Sequence, residues 1–123
     1  MRLLVCGGRS YVGEKHLWEV LDALDAEQPV DLLIQGGAPG ADALGEWWAR
    51  SHDIEVREFP AEWEKHGKSA GPRRNVQMLE EGRPHLVIAF PGGSGTTQCL
   101  FAAGLRNIPF RKCCPDWSCR GAS

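Results

Sequence analysis

A chain of 123 residues is long enough for one domain with a proper core, and its 42% hydrophobic and 24% charged residues are those of an ordinary soluble globular protein. A formal net charge of -2 argues against a general nucleic-acid or membrane-surface binder, because such binding rests on a basic excess. The opening MRLLVCGGRS is too short and too soon glycine-rich for a signal peptide, and no stretch approaches a membrane span, so a cytoplasmic address is expected.

In chain order, short apolar runs alternate with helical patterns. Arg2 to Cys6 reads as a strand, and Glu14 to Ala26 as a helix with Leu17, Val20, Leu21 and Leu24 on one face. Val30 to Gln35 is a second strand. Asp42 to Ser51 is a second helix carrying Leu44, Trp47 and Trp48, the tryptophans being expected in the core or on a dimer face. Ile54 to Phe59 is a third strand with polar alternation. A long connection follows, and then a helix that Pro72 and Arg73 begin and that runs to Glu81. His85 to Phe90, apolar after its first residue, suits a strand buried on both faces of a parallel sheet. Gly95 to Arg106 is the last helix and Pro109 to Cys113 a fifth strand. The expected fold is α/β, a Rossmann-like three-layer sandwich with a five-stranded parallel sheet in order 3-2-1-4-5. Residues 1–112 form the domain, and 113–123 read as an irregular tail.

In an open parallel sheet, ligands bind beyond the carboxyl ends of the strands. Four loops fall at that edge. The first is Gly7-Gly8-Arg9. The second, GGAPGAD, brings Gly36, Gly37, Gly40 and Asp42, with Asp42 also a candidate N-cap for the second helix. The third contains Trp63, Lys68, Arg74 and Asn75. Between Lys65 and Leu79 it has four basic residues, one histidine and no acid, which suggests a local anion site. Here Trp63 is a candidate to stack on a base, and Lys68 and Arg74 to reach phosphate, Arg74 in bidentate fashion. The fourth loop is Pro91-Gly92-Gly93-Ser94-Gly95-Thr96-Thr97. Its glycines let backbone amides converge, its hydroxyls add donors, and a helix N-terminus favours an anion.

Two motifs fail. There is no GxGxxG fingerprint, and Gly67-Lys68-Ser69 only imitates the end of a Walker A loop, because Glu62 stands where its first glycine must be. Of the cysteines, Cys113, Cys114 and Cys119 have poor chelate geometry and no fourth ligand nearby, so no metal is expected and they read as incidental thiols. No cofactor is expected either.

The segments GGR, GGAPGADALGEWWA, FPAEWEKHGKSAGPRRNVQML and VIAFPGGSGTT, in this order, resemble the YspA-like (YpsA-related) branch of the SLOG superfamily over roughly residues 1–112. That superfamily also contains the Lonely Guy phosphoribohydrolases and the molybdenum-cofactor carrier-like proteins. The resemblance implies a Rossmann-like fold, homodimers or higher homo-oligomers, and a site for a nucleotide or nucleotide derivative. Gly7, Gly8, Arg9, Gly36, Gly37, Gly40, Asp42, Arg74, Asn75 and the 91–97 loop would line it. Lonely Guy enzymes carry PGGxGTxxE, whose glutamate works with an upstream arginine in cleaving an N-glycosidic bond. Arg74 is the counterpart of that arginine, but Cys99 occupies the glutamate position, and a neutral thiol does not stabilise an oxocarbenium-like state. Asp42, Glu62 and Glu64 are the carboxylates left to substitute. The preferred reading is a sensor or binding protein for a nucleotide-derived ligand. A hydrolase of a nucleotide or an ADP-ribose-like metabolite, and an interaction module with purely structural glycines, stay open beside it.

Overall fold

The computed structural model describes residues 1–113 and the backbone of strand 119–122. Its sheet has the order β3-β2-β1-β4-β5-β6. The strands are β1 (Arg2–Cys6), β2 (Leu32–Gln35), β3 (Glu55–Glu58), β4 (Leu86–Ala89), β5 (Phe110–Cys113) and β6 (Cys119–Ala122). The first five run parallel in the expected order 3-2-1-4-5. β6 pairs antiparallel with β5, Phe110 opposite Ala122 and Cys113 opposite Cys119. A strand inside 113–123 corrects the reading of that tail as irregular. Cys-Arg-Gly-Ala has no apolar alternation, so only edge pairing reveals it.

The alternation of β1 explains the layers. Successive side chains of a strand point to opposite faces. Leu3 and Val5 join a cluster with Leu17, Leu21 and Leu24 of α1 (Glu14–Glu27) and Trp48 of α2 (Ala41–Ser51). Leu4 and Cys6 face the other way, towards Met78 and Leu79 of α4 (Ala70–Gly82) and Cys99, Leu100 and Ala103 of α5 (Ser94–Leu105). With right-handed crossovers, α1 and α2 cover one face and α4 and α5 the other. Strand order therefore reverses between β1 and β4, and the crevice there opens beyond Cys6 and Ala89.

Within 85–90 the burial expected of a central strand holds from Leu86 to Phe90. His85 is instead exposed at the strand's entrance, where its Nδ1 accepts the Arg2 N–H at 2.9 Å. The two tryptophans of α2 also separate. Trp48 is fully buried and donates its indole N–H to Asp22 at 2.9 Å, whereas Trp47 is half exposed and meets Trp18 edge-on. Cys113, read as an incidental thiol, is disulfide-bonded; Cys114 lies outside the described residues, as does the side chain of Cys119. None of the described helices is long and apolar enough to cross a membrane.

The connection after β3 is more ordered than its glycines suggested. It holds a short helix α3 (Trp63–His66) and a 3-10 turn, Gly67–Ser69, and α4 then starts at Ala70. Pro72 thus sits inside the first turn and not at its first position. A proline is tolerated there because the first N–H groups of a helix have no intrahelical acceptor anyway.

Candidate functional site

At the switch point a cavity of about 660 Å³ is walled by four segments in turn: Cys6 to Arg9, Ala38 with Asp42, Trp63 to Met78, and Gly93 to Cys99. Of the residues singled out from sequence, Gly7, Gly8, Arg9, Asp42, Trp63, Lys68, Arg74, Asn75, Gly93, Ser94, Gly95 and Thr96 come together here. Gly36, Gly37, Gly40, Pro91, Gly92 and Thr97 do not line it; they hold the loops that do. The exposed Glu62 is also outside, paired with Lys65 at 3.9 Å, and exposed Glu64 does not line the cavity either.

The glycines therefore divide into two kinds. Gly8 donates its N–H to Pro91 O at 2.8 Å, so the first and fourth loops are stitched together. A Cβ on Gly8 would stand 2.8 Å from that same oxygen, and one on Gly92 would stand 2.7 Å from Gly8 N and also strike the Thr96 hydroxyl. Gly40 has φ +78°, and a Cβ there would strike Gly8 O. These glycines let backbone approach backbone. Gly93 and Gly95 differ: a Cβ on either meets no protein atom within 4 Å, and Gly93 has an ordinary negative φ of -101°. Crowding does not require glycine at Gly93.

Gly93 caps α5, whose first helical bond runs from Thr97 N to Gly93 O at 3.1 Å. The amides of Ser94, Gly95 and Thr96 precede that bond and have no intrahelical acceptor, which gives this rim of the cavity its positive end. Thr97 turns away, its hydroxyl donating back to Gly93 O at 3.3 Å.

Arg74 and Asn75 tie this rim to the second loop. Arg74 donates from Nη1 to Gly36 O at 2.6 Å and from Nε to Asn75 Oδ1 at 3.1 Å. The buried Asn75 amide then donates to Gly95 O at 3.3 Å and Gln98 Oε1 at 2.7 Å. Arg74 thus holds protein through Nε and Nη1, gripping Gly36 and Asn75. Its charge remains at the cavity wall. Lys68 and Trp63 stand at the exposed rim, Trp63 over Gly71.

Asp42 does not cap α2; Gly40 occupies the N-cap position. One carboxylate oxygen instead accepts the Gly36 N–H at 3.1 Å and the Ala38 N–H at 3.3 Å, because the left-handed turns at Gly37 and Gly40 fold that loop over it. Burial pushes its pKa up to about 6, against the opposing pull of those hydrogen bonds and of Arg74 and Arg9. Sequence reasoning missed the cavity floor: Cys6, Met78 and Gln98 carry no motif, and only the packing of β1 between α4 and α5 brings them in.

A family model described as "YspA, cpYpsA-related SLOG family" matches residues 1–66, just over half of the chain. The Gene 61 protein of Mycobacterium phage D29 is 33% identical over 116 residues, covering 88% of this chain and 92% of the phage protein. The chain belongs to the YspA, cpYpsA-related SLOG family. The family match ends at His66, so it contains the first two loops, while the 91–97 loop stands on geometry and on the phage relative's longer alignment. Among solved structures, the UDP-GlcNAc 2-epimerase of Neisseria meningitidis bound to UDP-GlcNAc superposes with a TM-score of 0.58 at 16% identity. It covers 92% of this SLOG chain, which spans only 32% of the epimerase's length. That likeness is one of fold, and it confirms the Rossmann-like architecture.

Proposed function

We propose that this SLOG protein binds a nucleotide or nucleotide-derived small molecule at the β1/β4 switch point, as a sensor or binding protein. The observation that carries the reading is the convergence on one cavity of the α5 N-terminus, Arg9, Lys68 and the Arg74 charge, with Trp63 at the rim. Amides and cations suit a phosphate, an aromatic edge suits a base, and the volume falls in the range of small-molecule sites. The epimerase's UDP-GlcNAc makes nucleotide sugars a sensible member of the ligand panel. A homodimer or higher homo-oligomer in the cytoplasm belongs to the same proposal, with neither nucleic acid nor membrane as partner.

One observation favours a second reading. Asp42 places a carboxyl group in the cavity with its pKa raised to about 6, where it is suited to proton transfer, while Cys99 holds the position of the Lonely Guy glutamate. Hydrolysis of an N-glycosidic bond would then rest on Asp42 and Arg74, since Glu62 is outside. Calorimetric titration with nucleoside monophosphates, ADP-ribose and a nucleotide sugar tests binding, and chromatography of the same mixtures tests turnover. Binding without release of free base supports the first reading; base release lost in Asp42→Asn supports the second; heatless titrations across the panel reject both.

A further inference from the structure

Cys6 ends β1 and Cys99 lies on α5, so the two come from elements on either side of the cavity floor. Both are free thiols, buried within one apolar cluster, yet both reach the cavity. The two thiols lie close enough to act on each other as donor and acceptor. Two apolar residues would fill this space without such a contact, and a cavity that admits small molecules admits a peroxide.

We propose that Cys6 and Cys99 form a redox-active dithiol, which hydrogen peroxide converts to a disulfide across the floor of the cavity. The Cys99 thiolate attacks one peroxide oxygen; the S–O bond forms, the O–O bond breaks, and the departing hydroxide takes up the proton given up by the thiol. Cys99 is then a sulfenic acid. The Cys6 sulfur attacks the Cys99 sulfur, the S–S bond forms, the S–O bond breaks, and hydroxide leaves as water with the Cys6 proton. Two thiols and one peroxide give one disulfide and two waters, the sulfurs losing two electrons to the peroxide.

The order of attack follows from the surroundings. The donor contact from Cys6 lowers the Cys99 pKa, and the nearby Arg74 charge acts in the same sense, against burial and Asp42. The same contact and full burial raise the Cys6 thiol well above its usual value, so Cys6 resolves and does not initiate. A disulfide here would pin β1 to α5 beneath the ligand, which makes ligand affinity a second quantity that oxidation should change.

Tryptic mapping without reduction tests the pair in the full chain. Cys6 falls in peptide 3–9 and Cys99 in peptide 75–106, because Pro84 blocks cleavage after Arg83; the other three cysteines share peptide 113–120. After hydrogen peroxide, peptides 3–9 and 75–106 should be recovered linked, and dithiothreitol should separate them. In Cys6→Ser the sulfenic acid should persist on Cys99 and take up dimedone, while Cys99→Ser should leave Cys6 unmodified. Peptides 3–9 and 75–106 that stay unlinked in folded wild-type protein, whether reduced or with Cys99 carried on to a sulfinic acid, overturn the proposal. The mapping uses no nucleotide, so a failure of nucleotide binding would leave this result standing.

Discussion

At the scale of single residues, Asp42 carries the clearest pH dependence. Its folded pKa is raised from 3.8 to about 6, so the fold favours the protonated carboxyl. The stability this represents is fully present below about pH 4 and is lost as pH rises through about 6, reaching a penalty of roughly 3 kcal/mol. Asp42→Asn keeps one oxygen for the Gly36 and Ala38 amides and discards the charge. The variant should therefore be more stable than wild type at pH 7.5, by up to about 3 kcal/mol, and show no advantage at pH 4. Urea midpoints at the two pH values check this, and equal differences at both would refute the buried-charge account. The glycines give a paired prediction. Gly93→Ala puts a methyl group into open cavity space beside free amides, so it should weaken nucleotide binding by about 1–3 kcal/mol. Gly92→Ala drives a Cβ against Gly8 N and should lower the melting temperature itself. From sequence the two glycines looked alike; only the packing of the first loop on the fourth tells them apart.

At the scale of elements, the cavity depends on how α4 docks against α5. Asn75 makes that joint with two hydrogen bonds from one buried side chain, donating to Gly95 and Gln98 of α5 while it accepts a third from its own helix neighbour Arg74. Asn75→Ala leaves those partners unpaired and should cost about 1–3 kcal/mol, read as a lower urea midpoint at unchanged slope. Binding should weaken as well, because the Gly95 end of α5 loses its anchor. Lys68 has the opposite signature: Lys68→Ala should spare stability, weaken an anionic nucleotide, and reduce the loss of affinity on adding salt. An unchanged salt response in that variant would remove Lys68 from the phosphate's surroundings. Asn75 and Arg74 do line the cavity, and their hydrogen bonds hold its walls together. A residue type shows that a side chain can bond to phosphate or to backbone, and the choice between them depends on a partner 38 residues away, Gly36.

At the scale of the whole molecule, the strand order was legible because β1 and β4 are the apolar runs that only central strands can carry, and right-handed crossovers then fix the rest. What stayed hidden follows no period: the edge strand β6, and the division of Trp47 from Trp48, which neighbour each other in sequence but face solvent and core respectively. That division changes where an oligomer should form. With Trp48 in the core, the exposed apolar residues of α2 reduce to Trp47, while α5 presents Phe101 and Leu105, each 67% exposed and one turn apart. Leu100, Gly104 and Phe110 line a groove beside them, and an apolar stripe of this size on a small domain is better covered than solvated. A symmetric pairing through α5 would bury it twice, since the same patch serves both copies. Light scattering should give a mass of about twice 13.5 kDa at micromolar protein. Phe101→Glu should return the chain to monomer with its far-UV spectrum intact, because the side chain contributes little to the monomer's core, and Trp47→Glu should remain a dimer. A Trp47→Glu monomer beside a dimeric Phe101→Glu would move the interface to α2, and a monomeric wild type would remove it from both.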